Sequence, residues 1–343
     1  MSEQASTGPE QSSPGTTPVP LVHGQEALTP EQEAAVVHGA AVAAGQRRVV
    51  TVAGPGAVTC VQGVLTNDIE RHGDRGFVYG AVLTTKGMIV TDLWVARTEE
   101  ELLAILPAEG VVPGYAAFQR YFPPRLARTA DRGADVAVLE LMGPEALEHL
   151  QSAGGRLPLP GSAHAISLGG VEALAARPEQ AAPFATLLAT TDAERVTAAL
   201  VDTGFTAVPA EAAELARVVA GWPRLGAEIG ERTLPQEVRF DDIDGVSYTK
   251  GCYTGQETVA RVHFRGHANR WLGAVIWPDR PDVADASVYR DAAAVGRVTS
   301  VAWSHEWKMW LGLALVRREV VPGAAIRACG ADARLLSLPL PTP

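Results

Sequence analysis

Apolar and polar positions fall into three regimes along this chain. Residues 1 to about 28 are rich in Ser, Thr, Pro, Gln and Gly and carry no apolar period. Such a segment buries too little surface to offset its ordering entropy, so it reads as a disordered tail. From Pro30 the pattern becomes globular. Pro30-Glu31-Gln32-Glu33 ahead of an Ala/Val-rich stretch predicts a helix with proline and acidic groups in its first turn. The β-branched run at 48–52 predicts a strand, and residues 56–63 a helix leading to Leu65-Thr66-Asn67-Asp68. Residues 77–83 and 88–95 predict two strands around the turn Thr84-Thr85-Lys86-Gly87. Strand-like runs at 102–106 and 136–142 then alternate with helix-like ones at 111–121, 144–151 and 193–201. Hairpins mixed with helices predict an α+β fold rather than a doubly wound parallel sheet. The Ala/Gly/Pro-rich stretch 156–183 has no sharp period and reads as a loop-rich connection or as weakly patterned strands. Beyond Arg270, short runs at 271–277, 287–289, 294–301 and 310–316 predict a small all-β barrel or sandwich. The expected organisation is a tail over 1–28, an α+β region over 29–268 and a C-terminal β-barrel over 269–343.

Composition narrows the chemistry. The chain has 343 residues, 47% of them apolar and 20% charged, an ordinary globular balance with ample core material. Its net charge of −10 argues against a general binder of nucleic acid or anionic membrane, whose footprint is basic. No apolar run approaches the roughly 18 residues of a membrane span. The N-terminus lacks the basic and apolar regions of a secretory signal. Cys60, Cys252 and Cys329 lie far apart, which disfavours a disulfide framework or structural zinc site and suits a reducing cytoplasm. Cys60 and Cys329, among apolar or β-like neighbours, read as core.

Cys252 differs. It stands in Lys250-Gly251-Cys252-Tyr253-Thr254-Gly255-Gln256-Glu257, where Thr254 and Glu257 have the spacing of a capping box. That predicts a helix beginning near Gly255 with the sulfur just ahead of it. Unpaired N–H groups, the helix dipole and the Lys250 charge would then favour the thiolate. The plainer alternative is a small buried hydrophobe. His263 and His267 are four residues apart but have no third ligand at useful spacing, so no zinc site is read there. Trp303, Trp307 and Trp310 read as an aromatic cluster near the barrel's edge, with core packing as the default role.

The string 250–257, continued by Val259-Ala260-Arg261 and Phe264-Arg265-Gly266, resembles the signature of the YgfZ family. These are folate-binding relatives of the glycine-cleavage T-protein, an aminomethyltransferase, and they act in iron–sulfur cluster maintenance. Further segments resemble the family's motifs in the same order: Leu65-Thr66-Asn67-Asp68-Ile69, Lys86-Gly87-Met88-Ile89-Val90-Thr91-Asp92-Leu93, the stretch from Arg217 to Arg224, Leu234-Pro235-Gln236-Glu237 and Gly296-Arg297-Val298-Thr299-Ser300. The resemblance implies two α+β domains interleaved in sequence and a C-terminal β-barrel around a central channel. It implies a cytoplasmic protein, expected to be monomeric, that binds tetrahydrofolate or its polyglutamylated form, with no nucleic-acid or membrane partner.

In the family's eukaryotic members an equivalent cysteine is implicated in holding a [2Fe–2S] cluster jointly with an A-type carrier protein. By resemblance, then, Cys252 is the functional thiol and a shared cluster ligand, with Lys250 beside it. One cysteine cannot complete such a cluster, which usually needs four protein ligands. The folate-site residues implied are Asn67, Asp92, Arg217, Tyr253, Gln256, Glu257, Arg261 and Arg265. Arg217 would pair a carboxylate of the pteroylglutamate tail. Tyr253 would either stack on the pterin or simply pack. Arg261, Arg265 and Arg270 with the two histidines form the densest basic run, suited to a polyglutamate tail or a docking partner. Where the aminomethyltransferases carry two adjacent acids, this chain has Thr91-Asp92, and the missing acid weakens the case for the parent reaction. The alternatives are a folate-dependent aminomethyltransferase or demethylase, a cysteine-nucleophile enzyme using His263 as base, and a plain scaffold.

Overall fold

The structure, a computed structural model, describes residues 21–23, 27–154 and 156–341. Its first helix, Pro30–Val37, begins as its residues dictate: Thr29 accepts from the Gln32 backbone while the Gln32 side chain accepts from Thr29 in return. The tail expected over 1–28 lies largely outside the described residues. Within it, Leu21–His23 form a strand that pairs in parallel with Ala293–Ser304, which corrects that part of the expectation.

Three sheets build the body. One is wholly antiparallel, in the order Phe77–Leu83, Ile89–Arg97, Leu102–Pro107, Arg47–Ala53, Arg128–Asp131. The second runs Thr206–Ala207, Ala41–Ala44, Ala137–Met142, Thr186–Thr190, Val171–Arg177, Ser162–Leu168, and only its first pair is parallel. Ala41–Ala44 precedes the whole first sheet in sequence, yet pairs with strands that follow it. The two α+β units are therefore interleaved. The indistinct stretch 156–183 contributes the hairpin Ser162–Leu168 and Val171–Arg177, which buries Ala163, Ala173, Ala175 and Ala176 while Ala165 and Ser167 stay exposed, so small residues fall on both faces.

From Arg270 the chain closes a barrel. Strands Ala293–Ser304, Ser287–Arg290, Ala325–Ala328, Ala331–Leu336, Arg270–Trp277 and Met309–Arg317 pair in that order, and the last pairs again with the first. Closure removes the exposed edges that an open sheet of this size would present. Trp303 and Trp310 meet at 5.6 Å between ring centroids. No helix among the described residues is long and apolar enough to cross a membrane.

Among the polar contacts that fasten the barrel to the rest, two centre on buried charged side chains of the helices packed beside it. In the first, the buried Glu33 carboxylate accepts from the Ser304 hydroxyl and from the His305 and Glu306 amides. Glu33→Ala would leave those donors unmet, at a cost of about 2–3 kcal/mol. Urea unfolding should register this as a lowered midpoint with an unchanged slope.

The second joint is Arg217, on the helix Glu211–Ala220. All five of its N–H bonds have acceptors. Nε donates to Glu214, Nη1 to the Trp222 carbonyl (2.7 Å) and Glu228 (2.9 Å), and Nη2 to Glu214 (2.9 Å) and the barrel's Ser300 (2.7 Å). Ser300 in turn donates to Glu228, and Arg224 pairs Glu214 from the other side. Burial disfavours the charged form, but the paired carboxylates outweigh it and raise the Arg217 pKa. The core between the three sheets is aromatic: Phe77, Tyr79, Trp94, Trp222 and Phe240 stack or tilt at centroid distances of 4.8–5.7 Å.

Candidate functional site

A cleft of about 600 Å³, counting its open mouth, lies where the first two sheets meet the helix Glu211–Ala220. Its polar lining includes Arg47, Asp92, Glu140, Glu214 and Arg224, and Pro107, Pro183 and Leu225 supply apolar surface. Asp92 reaches it from the hairpin whose register pairs Ala81 with Asp92 and Tyr79 with Trp94. Two-residue alternation therefore sets Tyr79 and Trp94 on the same face as Asp92. The Tyr79 hydroxyl donates to Asp92 Oδ2 (3.1 Å), while Oδ1 is buried with no partner. Burial pushes the Asp92 carboxyl above the usual range, against the pull of the Arg47 guanidinium and the Tyr79 hydroxyl. Arg47 is itself held by Glu140 at 2.9 Å. Thr91, the residue in place of a second acid, is fully buried and donates its hydroxyl to the Asp92 carbonyl. It packs so closely on Gly110 that a side chain added to that glycine would collide with its hydroxyl.

A buried carboxylate oxygen without a donor is costly unless something supplies one. The N–H edge of a pterin has the right chemistry, and the flanking Pro107, Pro183 and Leu225 suit its ring faces. The residues present thus fit tetrahydrofolate. Arg217 also lines the cleft, but with all five donors engaged as described above it has none free for a glutamate tail. Its expected role is corrected to that of a structural joint. Arg224 takes its place at the mouth, where it bridges Glu214 and the half-exposed Glu109, each at 2.8 Å.

The thiol lies on the loop ahead of the helix Gln256–Arg265, as the sequence predicts. Cys252 is exposed, so the buried-hydrophobe alternative falls away. The expected capping box does not form. Gly255 is the N-cap, in the left-handed region at φ 84°, with no side-chain cap bond. Any side chain there would strike the Thr84 carbonyl of the Thr84–Gly87 turn, so tertiary packing, not local capping, begins this helix.

Lys250 is corrected too. Its ammonium is buried, and its three N–H bonds end on the carbonyls of Gln62 (2.7 Å), Leu65 (2.8 Å) and Asn67 (2.8 Å). Burial pushes its pKa down to about 8, with Asp68 and Glu70 opposing. Asn67 is buried and serves the same junction, its amide donating to the Tyr79 carbonyl (2.8 Å) and the Asp244 carbonyl (2.6 Å). It is a structural stitch and offers no donor to a ligand. Tyr253 is buried in the core with the Lys250 ammonium 5.3 Å from its ring centroid, so packing is its observed role. Burial raises its hydroxyl pKa.

Glu257, Arg261 and Arg265 project from the exposed side of the helix at i, i+4, i+8, and Gln256 is half-buried at its start. None of these four lines the Asp92 cleft. His263 stacks on Tyr248 (3.7 Å) and pairs with Asp241 (3.2 Å), next to the exposed Phe264. Among the described residues no three His, Cys, Asp or Glu are grouped to hold a metal.

Tyr79, Trp94, Arg47 and Glu140 escaped the sequence reading. The first two were recoverable by pairing the predicted hairpin outward from its turn. Arg47 and Glu140 are 93 positions apart and belong to different sheets, so no local signal joins them.

Comparison with known proteins follows this geometry. Residues 24–243 match the GCVT N-terminal domain, and residues 273–335 match the glycine cleavage T-protein C-terminal barrel domain. The chain is 30% identical over 287 residues to a tRNA-modifying protein YgfZ of Serratia proteamaculans, covering 78% of this chain and 81% of that one. A protein of the same name from Vibrio vulnificus is 32% identical over 119 residues, 33% of this chain and 36% of the relative. The crystal structure of the glycine cleavage system aminomethyltransferase T from Bartonella henselae superposes with a TM-score of 0.76 at 18% identity, covering 94% of this chain and 91% of that one. That likeness establishes the fold.

Proposed function

Because this chain belongs to the YgfZ family, with its GCVT N-terminal domain and T-protein barrel, we propose that it is a tetrahydrofolate-binding accessory protein of iron–sulfur cluster assembly or repair, with Cys252 as its working thiol. The observation that carries the folate half is the buried, unpartnered Oδ1 of Asp92 in a cleft with apolar walls. Asp92 accepts from the pterin's N–H edge, Arg47 opposes the burial that raises the Asp92 pKa, and Arg224 exchanges Glu109 for a tail carboxylate. The exposed Cys252 on a tethered loop carries the thiol half. It supplies one sulfur, and a carrier of the A-type class supplies the remaining ligands of a shared, transient [2Fe–2S] cluster. Arg261 and Arg265 lie on the exposed face of the adjoining helix, available to that partner.

The relatives' name, tRNA-modifying protein, marks the process in which such an activity is felt. The net charge of −10 favours a role upstream of the RNA chemistry, in a cytoplasmic monomer, over direct RNA binding. Anaerobic calorimetry should find saturable tetrahydrofolate binding. Asp92→Leu should weaken it at least about tenfold, or 1.4 kcal/mol. A folded protein that takes up no tetrahydrofolate ends the folate half.

A further inference from the structure

The loop carrying Cys252 is packed through the buried Lys250 and Tyr253 on either side and open at the thiol itself. Cys252 and Gly251 are exposed, and a side chain added at Gly251 would meet nothing within 4 Å. What fixes the loop is its seam with residues 62–67. There the Thr254 amide donates to the Gly63 carbonyl and the Ser247 amide to Thr66 (both 3.0 Å), and the Thr66 hydroxyl donates to Gly245 (2.6 Å). The Lys250 ammonium closes this seam with its three carbonyl bonds. An ammonium has three donors, and here each has an acceptor. The charged groups acting on it are Asp68 and Glu70, and the Tyr253 ring lies beside it.

The same segment continues toward the cleft. Thr66 exchanges hydrogen bonds with Ala81, and Asn67 bonds the carbonyl of Tyr79, whose hydroxyl holds Asp92.

We infer that Lys250 is a positioning residue that anchors the Cys252 loop to the segment bordering the Asp92 cleft, and that the thiol depends on this anchorage rather than on the ammonium's charge. The inference rests on the reading of Cys252 as the working thiol. It departs from electrostatic activation because the three Lys250 hydrogens are directed at the carbonyls of Gln62, Leu65 and Asn67 and none at the sulfur. Removing the side chain orphans three acceptors at the end of the helix Ala57–Gln62 and frees the loop without touching the sulfur.

The test compares the parent protein with Lys250→Met and Lys250→Arg. It reads hydrogen exchange of residues 62–67 and 247–254, and the pH profile of Cys252 alkylation by iodoacetamide, followed by peptide mass spectrometry. It also reads tetrahydrofolate affinity and the activity of iron–sulfur enzymes in cells. Lys250→Met should exchange both segments about tenfold faster. Its alkylation midpoint should stay at the parent value, its folate affinity should be retained and its cellular activity should be lost. Lys250→Arg keeps the charge, but a planar fork cannot serve the three carbonyls, so it should fail in the same way. An alkylation midpoint raised by about one unit would assign the role to charge instead, and unchanged exchange would remove the anchor. If Lys250→Met does not fold, Lys250→Gln, with two N–H donors left, carries the same comparison. A parent that binds no tetrahydrofolate, or a fully active Cys252→Ser, defeats the functional reading alone. The exchange and alkylation results then still decide the anchorage.

Discussion

Arg217→Met should be the most destabilising single change in the molecule, lowering the unfolding free energy by about 3–5 kcal/mol. The substitution leaves the Glu214 and Glu228 carboxylates buried beside an apolar side chain. It also removes the donors that Trp222 and Ser300 require. Arg224 still reaches Glu214, which is why the loss does not extend to the whole network. Against a typical stability of 5–15 kcal/mol the loss is a large fraction. Denaturant unfolding and soluble yield both report it. Arg217→Lys should rescue little, because three donors on a point charge cannot replace five in a planar fork. Wild-type stability in either variant would remove the joint and return Arg217 to the ligands of the cleft.

Cys252→Ser should give the opposite profile: unchanged stability, unchanged tetrahydrofolate affinity and near-complete loss of activity. The residue is exposed, so exchanging sulfur for oxygen disturbs no packing. On the proposed function, what is lost is a soft thiolate able to bind iron, which a hydroxyl does not replace at neutral pH. Complementation of a strain lacking the protein, read through the activity of its iron–sulfur enzymes, checks this directly. Full complementation by the serine variant would confine the protein's role to folate and its fold. The two variants together separate the joint that holds the molecule together from the thiol proposed to do its chemistry.

The same division runs through what could be read in advance. Hairpins, helices and barrel strands were legible because each is written in a local period or a turn. The resemblance to YgfZ proteins rested on short ordered motifs, and the domain matches cover the chain on either side of residues 244–272, the stretch that holds the cysteine motif. Cys252 was singled out by its neighbours, and its placement just ahead of a helix followed from spacing alone. The reasons attached to those residues fared less well. Thr254 and Glu257 matched a capping box, but the contact with the Thr84–Gly87 turn selected Gly255 as the cap. Lys250 read as a charge for the sulfur because the two are adjacent in sequence. Arg217 read as a ligand for an anion because its acidic partners lie on the turn before it and the loop after it, and nothing in their spacing showed that all would converge.

The sequence by itself determined the elements and the family and singled out Cys252, since each depends on residues within a few positions of one another. Only the tertiary structure decided what the buried polar groups do. A buried charge takes whatever partners the fold brings within about 3 Å, and those partners arrive from strands and loops far apart in the chain. Lys250 found three carbonyls, Arg217 found five acceptors, and one oxygen of Asp92 found no partner.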